Sequence, residues 1–356
     1  MNADSPKEEA QEYVSRVLRD AARNGASDVY WLPCATHMSV RRRKDGIQQD
    51  VAELPAEYGR KCVARIKVLA GLLTYRSRVA QDGAIRATLP ATDLEMRVSV
   101  MPTSHGERAS VRLLPNAAGP LYLDDLGFPP AAVTALQSML DRTAGMIVLT
   151  GPTGSGKTTT IYALIRELLR RQQDPASVIT IEDPIECEID GISQTRVSED
   201  SEWGYAAALR AALRQDVKTL VIGEMRDREV VKVTLDAALT GHRIITTYHA
   251  GDIPSVYARM LHQGFEPFLV ASAVTGVVSQ RLVPRAGGEG RIPVIATLVP
   301  NDAWRDIIIE NPGLADMRKA LEAFPGADLS AVARKMADEG LISQREHQYW
   351  SDPRPR

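Results

Sequence analysis

The eight residues Gly151-Pro152-Thr153-Gly154-Ser155-Gly156-Lys157-Thr158 constrain this chain more than any other segment. They match G-x-x-x-x-G-K-[ST] and stand between a short apolar run, Met146–Thr150, and a helical stretch, Thr159–Arg170. That is the strand–loop–helix setting in which the pattern cradles phosphate. Glycines let backbone N–H groups converge on phosphate oxygens, and the start of a helix adds a favourable dipole. Lys157 places a cation on the terminal phosphates and Thr158 can hold Mg²⁺. Gly151, Pro152, Thr153, Gly154, Ser155, Gly156, Lys157, Thr158 and Thr159 are therefore the candidate ATP-binding residues.

At 356 residues the chain is long enough for two domains at about 150 residues each. The 43 Lys+Arg nearly balance 45 Asp+Glu, which removes any overall pull toward nucleic acid or an anionic membrane. No direct nucleic-acid partner is expected. Three scattered cysteines, Cys34, Cys62 and Cys187, fit a reducing compartment rather than a disulfide framework. The first residues carry acids and no apolar core, unlike a signal peptide, and no run of about 18 apolar residues follows. A cytoplasmic protein that does not itself span a membrane is the expectation.

Along the chain, Tyr13, Val14, Val17, Leu18, Ala21 and Ala22 share a helical face, with a stop at Asn24-Gly25. Strand-like pieces follow at Asp28–Leu32, Ser39–Arg43 and Leu94–Val100, a helix at about Ala56–Ala70, and turns at Lys44-Asp45-Gly46 and Gln81-Asp82-Gly83. This reads as an α+β domain over residues 1–115, with a linker at 116–124 that opens in the Pro115–Pro120 stretch. From 125 to 356 the pattern changes. Met146–Thr150, Val178–Ile181, Thr219–Ile222 and Ile244–Thr247 are apolar on both faces and alternate with helices, as in a parallel sheet covered on each side. A strand-like IPVIATLV and helices at Asp316–Ala323 and Leu329–Glu339 close the chain. The basic run Arg41–Lys44, beside a turn, reads as a solvated hairpin.

Two acidic segments accompany the phosphate loop. Leu220-Val221-Ile222-Gly223-Glu224 ends a buried strand in a carboxylate, which beside a phosphate loop can hold Mg²⁺ or one of its waters. Glu182-Asp183-Pro184-Ile185-Glu186 gathers three acids within five residues, a cluster that favours a cation or water to serve. On residue types alone, either Glu182 or Glu186 can act as the base.

Together these segments resemble the type II secretion and type IV pilus assembly ATPases, a superfamily of hexameric motors that also includes pilus retraction and conjugative ATPases. ITIEDPIE looks like the aspartate box, LVIGEMRD like the Walker B segment, TGHRIITTYHAGD like the histidine box, and RVSVMPTSHGERASVRLL like the end of the N-terminal domain. The resemblance implies an α/β fold: a RecA-like P-loop NTPase domain preceded by a smaller α+β, PAS-like domain. It implies that Glu182 is the catalytic carboxylate, Glu224 the Walker B glutamate on Mg²⁺ with Thr158, and His249 a γ-phosphate or interface sensor. Arg97 and Arg112 match arginines that reach the nucleotide. A homo-hexamer, ATP and Mg²⁺, an inner-membrane platform protein and a peripheral inner-membrane location follow as implied partners and place.

The sequence also departs from the family. Arg214-Gln215-Asp216-Val217-Lys218 stands before the Walker B segment where Arg-x-Asp-Pro-Asp is usual, Tyr248 and Ala250 replace Leu and Thr, and Tyr30 and Leu32 replace His and Glu. Pro284–Arg291 has no cysteine where many extension motors carry Cys-x-x-Cys pairs, so no zinc is expected there. Its absence resembles retraction motors, whereas PTSHGE is closer to the assembly type. Retraction, DNA transfer and a non-hydrolysing nucleotide switch are the alternatives to assembly or secretion.

Overall fold

The computed structural model describes residues 8–44, 46–85, 95–114, 121–171, 174–198, 202–288 and 290–346. The chain divides into two compact units, Met1–Gly119 and Pro120–Arg356. The Pro115–Pro120 stretch, Asp45 and Leu94 lie outside the described residues.

The first unit runs α1 (Ala10–Arg23), β1 (Ala26–Pro33), β2 (His37–Lys44), β3 (Ile47–Pro55), α2 (Ala56–Leu69), β4 (Gln81–Ile85), β5 (Glu95–Thr103) and β6 (Gly106–Leu114). Its sheet has the order β3-β2-β1-β6-β5-β4, with antiparallel neighbours throughout. α1 buries Tyr13, Val14, Val17, Leu18 and Ala21, the i, i+3, i+4 stripe of a surface helix. It stops at Asn24, followed by Gly25 at φ +68°, a left-handed conformation that glycine adopts without penalty. Along β5, Met96, Val98 and Val100 are buried while Arg97 and Ser99 face the other way, the two-residue period of a half-covered sheet.

One expectation fails here. Gln81-Asp82-Gly83 is not a turn but the start of β4, with Gln81 opposite Val100 and Gly83 opposite Val98. The glycine serves close approach, since a Cβ on it would lie 2.5 Å from the Ala70 carbonyl. The basic run Arg41–Lys44 does lie in a hairpin. Arg41 pairs with Asp50 at 2.8 Å, and Arg42 donates to the Gln49 amide oxygen at 2.9 Å.

The second unit contains α3 (Pro130–Asp141), β7 (Gly145–Thr150), α4 (Lys157–Arg170), β8 (Val178–Glu182), β9 (Ser193–Arg196), α5 (Tyr205–Ala212), β10 (Thr219–Met225) and α6 (Arg228–Leu239). It continues with β11 (Arg243–Tyr248), α7 (Ile253–His262), α8 (Pro267–Ala273), β12 (Val274–Pro284), β13 (Arg291–Leu298), α9 (Asp302–Ile309), α10 (Leu314–Leu321) and α11 (Leu329–Asp338). The sheet order is β13-β12-β7-β11-β10-β8-β9, parallel except where β13 returns antiparallel to β12.

Both faces of this sheet are covered, and the strands show it. In β7, Met146 and Val148 enter one core cluster while Ile147 and Leu149 enter another; Ile244 and Ile245 of β11 divide in the same way. Alternate side chains point to opposite faces, so a strand with helices on both sides is apolar on both, with polar side chains such as Thr180 and Thr247 admitted where they are hydrogen-bonded. The parallel strands β7, β8, β10 and β11 share a direction, and their carboxyl ends form the edge where such sheets bind ligands. Among the described residues no helix is long and apolar enough to cross a membrane.

Candidate nucleotide-binding and catalytic site

The loop after β7 is shaped by its glycines. Gly151, Gly154 and Gly156 take φ values of +148°, +74° and +89°, in the region that disfavours side chains. A Cβ on Gly151 would lie 2.4 Å from the Gln280 carbonyl, and one on Gly156 would lie 2.8 Å from Gln280 Nε2. β12 therefore presses directly against the loop. Gln280 is held in turn by Thr160, whose hydroxyl donates to Gln280 Oε1 at 2.8 Å.

Pro152, Thr153, Gly154 and Thr159 are exposed, and Thr158 is half-buried at the first turn of α4. Ser155 Oγ is buried and lacks a hydrogen-bond partner among the described residues. The Lys157 ammonium folds over its own loop, donating to the carbonyls of Gly151 at 2.8 Å and Pro152 at 2.9 Å. Burial lowers its pKa, the Glu224 carboxylate pulls it back up, and the nearby Arg281 guanidinium lowers it again. A glycine-shaped turn at the start of a helix, an orphaned buried hydroxyl and a desolvated cation fit a bound polyphosphate.

Glu182 is the last residue of β8 and only 6% exposed. Three donors meet its carboxylate: the Tyr162 hydroxyl at 2.5 Å on Oε2, and Thr180 Oγ1 at 2.6 Å and Gln194 Nε2 at 3.2 Å on Oε1. Such a shell stabilises a buried carboxylate and fixes its orientation. Glu186 is exposed, and its backbone N–H donates to the Tyr162 hydroxyl at 3.1 Å. Burial raises the Tyr162 pKa, and the Glu182 charge raises it further.

Glu224 sits near the end of β10. Its Oε1 meets His249 Nε2, and its Oε2 accepts from Arg226 Nε at 2.8 Å. Gly223 lets this strand end lie close to β8, since a Cβ there would be 3.0 Å from the Tyr205 hydroxyl and 3.5 Å from Glu182 Cα. Tyr205 is pushed up to about 12 by burial, with Arg226 opposing and the Asp183, Glu224 and Glu182 carboxylates reinforcing. His249 follows β11 in a loop pinned from two sides. The Thr150 hydroxyl donates to the Ala250 carbonyl at 2.6 Å, and Arg281 donates to the Gly251 carbonyl at 2.9 Å.

In the first unit, Arg97 on β5 is directly opposite Arg112 on β6. Arg112 Nε donates to Asp28 Oδ1 at 3.1 Å while its side chain stays 60% exposed. The second unit thus gathers the phosphate loop, Glu182, Glu224 and His249 at adjacent strand ends. Tyr162, Thr180, Gln194, Tyr205, Gln280 and Arg281, which no motif reading selected, support them. The sequence signal for two of these was position: Tyr162 is one helical turn beyond Thr158, and Thr180 stands in ITIEDPIE two residues before Glu182.

A parallel sheet with this loop between β7 and α4, and carboxylates on the neighbouring strand ends, defines the P-loop class of nucleotide-binding proteins. Within that class the chain belongs to the type II/IV secretion system protein family, whose model matches residues 4–347.

Among curated relatives it is 36% identical over 350 residues to type II secretion system protein HxcR of Pseudomonas aeruginosa, covering 92% of this chain and 72% of that one. It is 38% identical over 276 residues to the type IV pilus assembly ATPase PilB of Thermus thermophilus, covering 78% of this chain and 31% of that one. With the type II secretion system ATPase E of Vibrio cholerae the identity is 39% over 270 residues, covering 76% of this chain and 53% of that one. The chain therefore spans about half or less of several relatives it matches.

Among solved structures, the Legionella pneumophila ATPase DotB superposes with a TM-score of 0.80 at 22% identity, covering 98% of both chains. The pilus retraction motor PilT with bound ADP superposes at 0.71 and 29% identity, covering 96% of this chain and 97% of that one. The mixed α/β fold and the family implied by the motifs both stand.

Proposed function

We propose that this chain hydrolyses ATP to ADP and phosphate. Acting as a homo-hexameric ring, cytoplasmic and peripheral at the inner membrane, it drives type II secretion or type IV pilus assembly through an inner-membrane platform protein. The observation that carries this reading is the convergence at neighbouring strand ends of a desolvated Lys157, a Glu182 held by three donors and Glu224 held by His249. The family and the names of its curated members, type II secretion and pilus assembly proteins, support it and do not favour retraction, DNA transfer or a silent switch.

In this reading the backbone of Gly151–Gly156 and the Lys157 ammonium take the phosphates, and Thr158 with Glu224 would hold Mg²⁺. When bound, that ion supplies positive charge against the phosphate oxygens. Glu182 orients the attacking water and takes its proton. Of the two acids that sequence left open, Glu182 is favoured because it is buried and fixed by three donors, whereas Glu186 is exposed. His249, through Glu224, senses the terminal phosphate. Arg97 and Arg112 supply cations for the charge that develops on the transferred phosphoryl group, work worth about 10³-fold or more in other phosphoryl-transfer enzymes.

ATP turnover measured against protein concentration, with mass by light scattering, tests this. Turnover per chain is expected to rise steeply as the mass reaches that of six copies. A persistent monomer that binds ATP without turnover would favour the switch, and stimulation by added DNA would favour a transfer motor.

A further inference from the structure

We propose that Tyr162 is a positioning residue for hydrolysis: its hydroxyl sets the Glu182 carboxylate and locks the acidic loop behind it to the helix that carries the phosphate-binding residues. The inference rests on the reading of Glu182 as the catalytic carboxylate.

A phenol hydroxyl has one proton to donate and two lone pairs to fill. In Tyr162 all three are committed. It donates to Glu182 Oε2 at 2.5 Å and accepts from the backbone N–H of Glu186 at 3.1 Å and of Cys187 at 3.2 Å. With both acceptor positions filled by amides that can only donate, the proton has one direction left, toward Glu182. The ring is buried in the core beneath the sheet, so the hydroxyl cannot swing away.

Placement gives this arrangement its consequence. Tyr162 follows Thr158 by four residues on α4, one helical turn along the same face. One rigid helix therefore carries the Lys157 and Thr158 side chains at its start and the group that orients Glu182 one turn later. A displacement of that start is passed to the carboxylate through a single hydrogen bond, without involving the exposed Glu186 side chain. Thr180 and Gln194 both reach Oε1, and Tyr162 is the donor on Oε2 among the described residues. Removing its hydroxyl frees the carboxylate to rotate about the remaining two contacts. A general base misplaced by about 1 Å can lose about 10²-fold in rate.

The test is Tyr162→Phe, which keeps the ring and deletes the hydroxyl, read by steady-state hydrolysis and ADP affinity in the full chain. A fall of about 10- to 100-fold in kcat is expected, with KM and ADP affinity within about threefold of the parent. The same substitution in a Glu182→Asp background should change kcat by less than about threefold, because a carboxylate withdrawn by one methylene no longer engages the hydroxyl. Unchanged kcat, equal losses in the two backgrounds, or loss of ADP binding in the Phe variant would each overturn the proposal. Glu182→Gln measured alongside separates the two claims: if it turns over normally, the Glu182 reading fails whatever Tyr162 does.

Discussion

Glu224 and His249 meet carboxylate to imidazole across the ends of two adjacent parallel strands, β10 and β11. The contact joins the segment that would hold Mg²⁺ to the loop that the Thr150 hydroxyl ties to the end of β7. Because Glu224 also accepts from Arg226, removing the imidazole leaves the acid paired and the strand intact. His249→Ala should therefore bind ADP within about threefold of the parent while kcat falls by about tenfold or more, as for a group that acts in the transition state alone. Titration calorimetry with ADP and steady-state hydrolysis check both halves. Equal losses in affinity and rate would make the contact a structural one.

Glu182→Gln replaces a carboxylate by an amide of the same shape. The amide oxygen can still accept from Thr180 or Tyr162, and the fold around β8 should survive. An amide cannot take a proton from water, so ATP binding is expected to persist while turnover falls by about 10²-fold or more. Phosphate release under single-turnover conditions, with ATP binding followed separately, gives the result. Normal turnover would remove Glu182 from the reaction and return the role to Glu186.

How far the sequence carried can be judged from these residues. The phosphate loop was legible because its parts are contiguous and flanked by an apolar strand and a helix, so local pattern and tertiary role coincide. The parallel sheet was legible for a similar reason: strands covered on both faces are mostly apolar and carry no charge, as in Val178–Ile181 and Ile244–Thr247, where threonine is the only polar residue. The supports of the site were not legible. Tyr162 and Glu182 are twenty residues apart and Thr160 and Gln280 are 120 apart, and chain topology alone brings them together. β9, with the polar sequence Ser193–Arg196, shows no apolar signal because it lies at the sheet edge. Gln81-Asp82-Gly83 carried a turn signal that sheet pairing overrode, its glycine making room for the Ala70 carbonyl.

In the first unit, α2 crosses β2 at a distance set by Gly59. A Cβ at that position would come 2.7 Å from Met38 Cγ and 2.3 Å from Met38 Cβ, and the latter is an atom that no rotamer change can withdraw. Alanine in a helix gains up to about 1 kcal/mol over glycine, but overpacking of this kind costs about 1–3 kcal/mol. Gly59→Ala should therefore lower stability on balance, by up to about 2 kcal/mol in urea unfolding. A variant as stable as the parent would mean that the helix can move off the sheet without loss.

Cys62, buried on α2, offers a test of that packing through its chemistry. Burial pushes its thiol up to about 12, with the Glu8 carboxylate adding to the shift. Cys34 and Cys187 are partly exposed. The thiolate is the reactive form, so iodoacetamide at neutral to mildly alkaline pH should modify Cys34 and Cys187 and spare Cys62 until urea is added. The same shift has a sign for stability. An unfolded cysteine ionises near pH 8.5, and the folded Cys62 holds its proton to about 12. The unfolded chain therefore binds fewer protons across that window, and this contribution to stability is complete below it and is lost as pH rises through it. Urea midpoints measured from pH 7 to 11 should fall more steeply for the parent than for Cys62→Ala. Parallel curves, or rapid alkylation of Cys62 in the native chain, would show that the thiol is reached by solvent and that α2 does not seal this core.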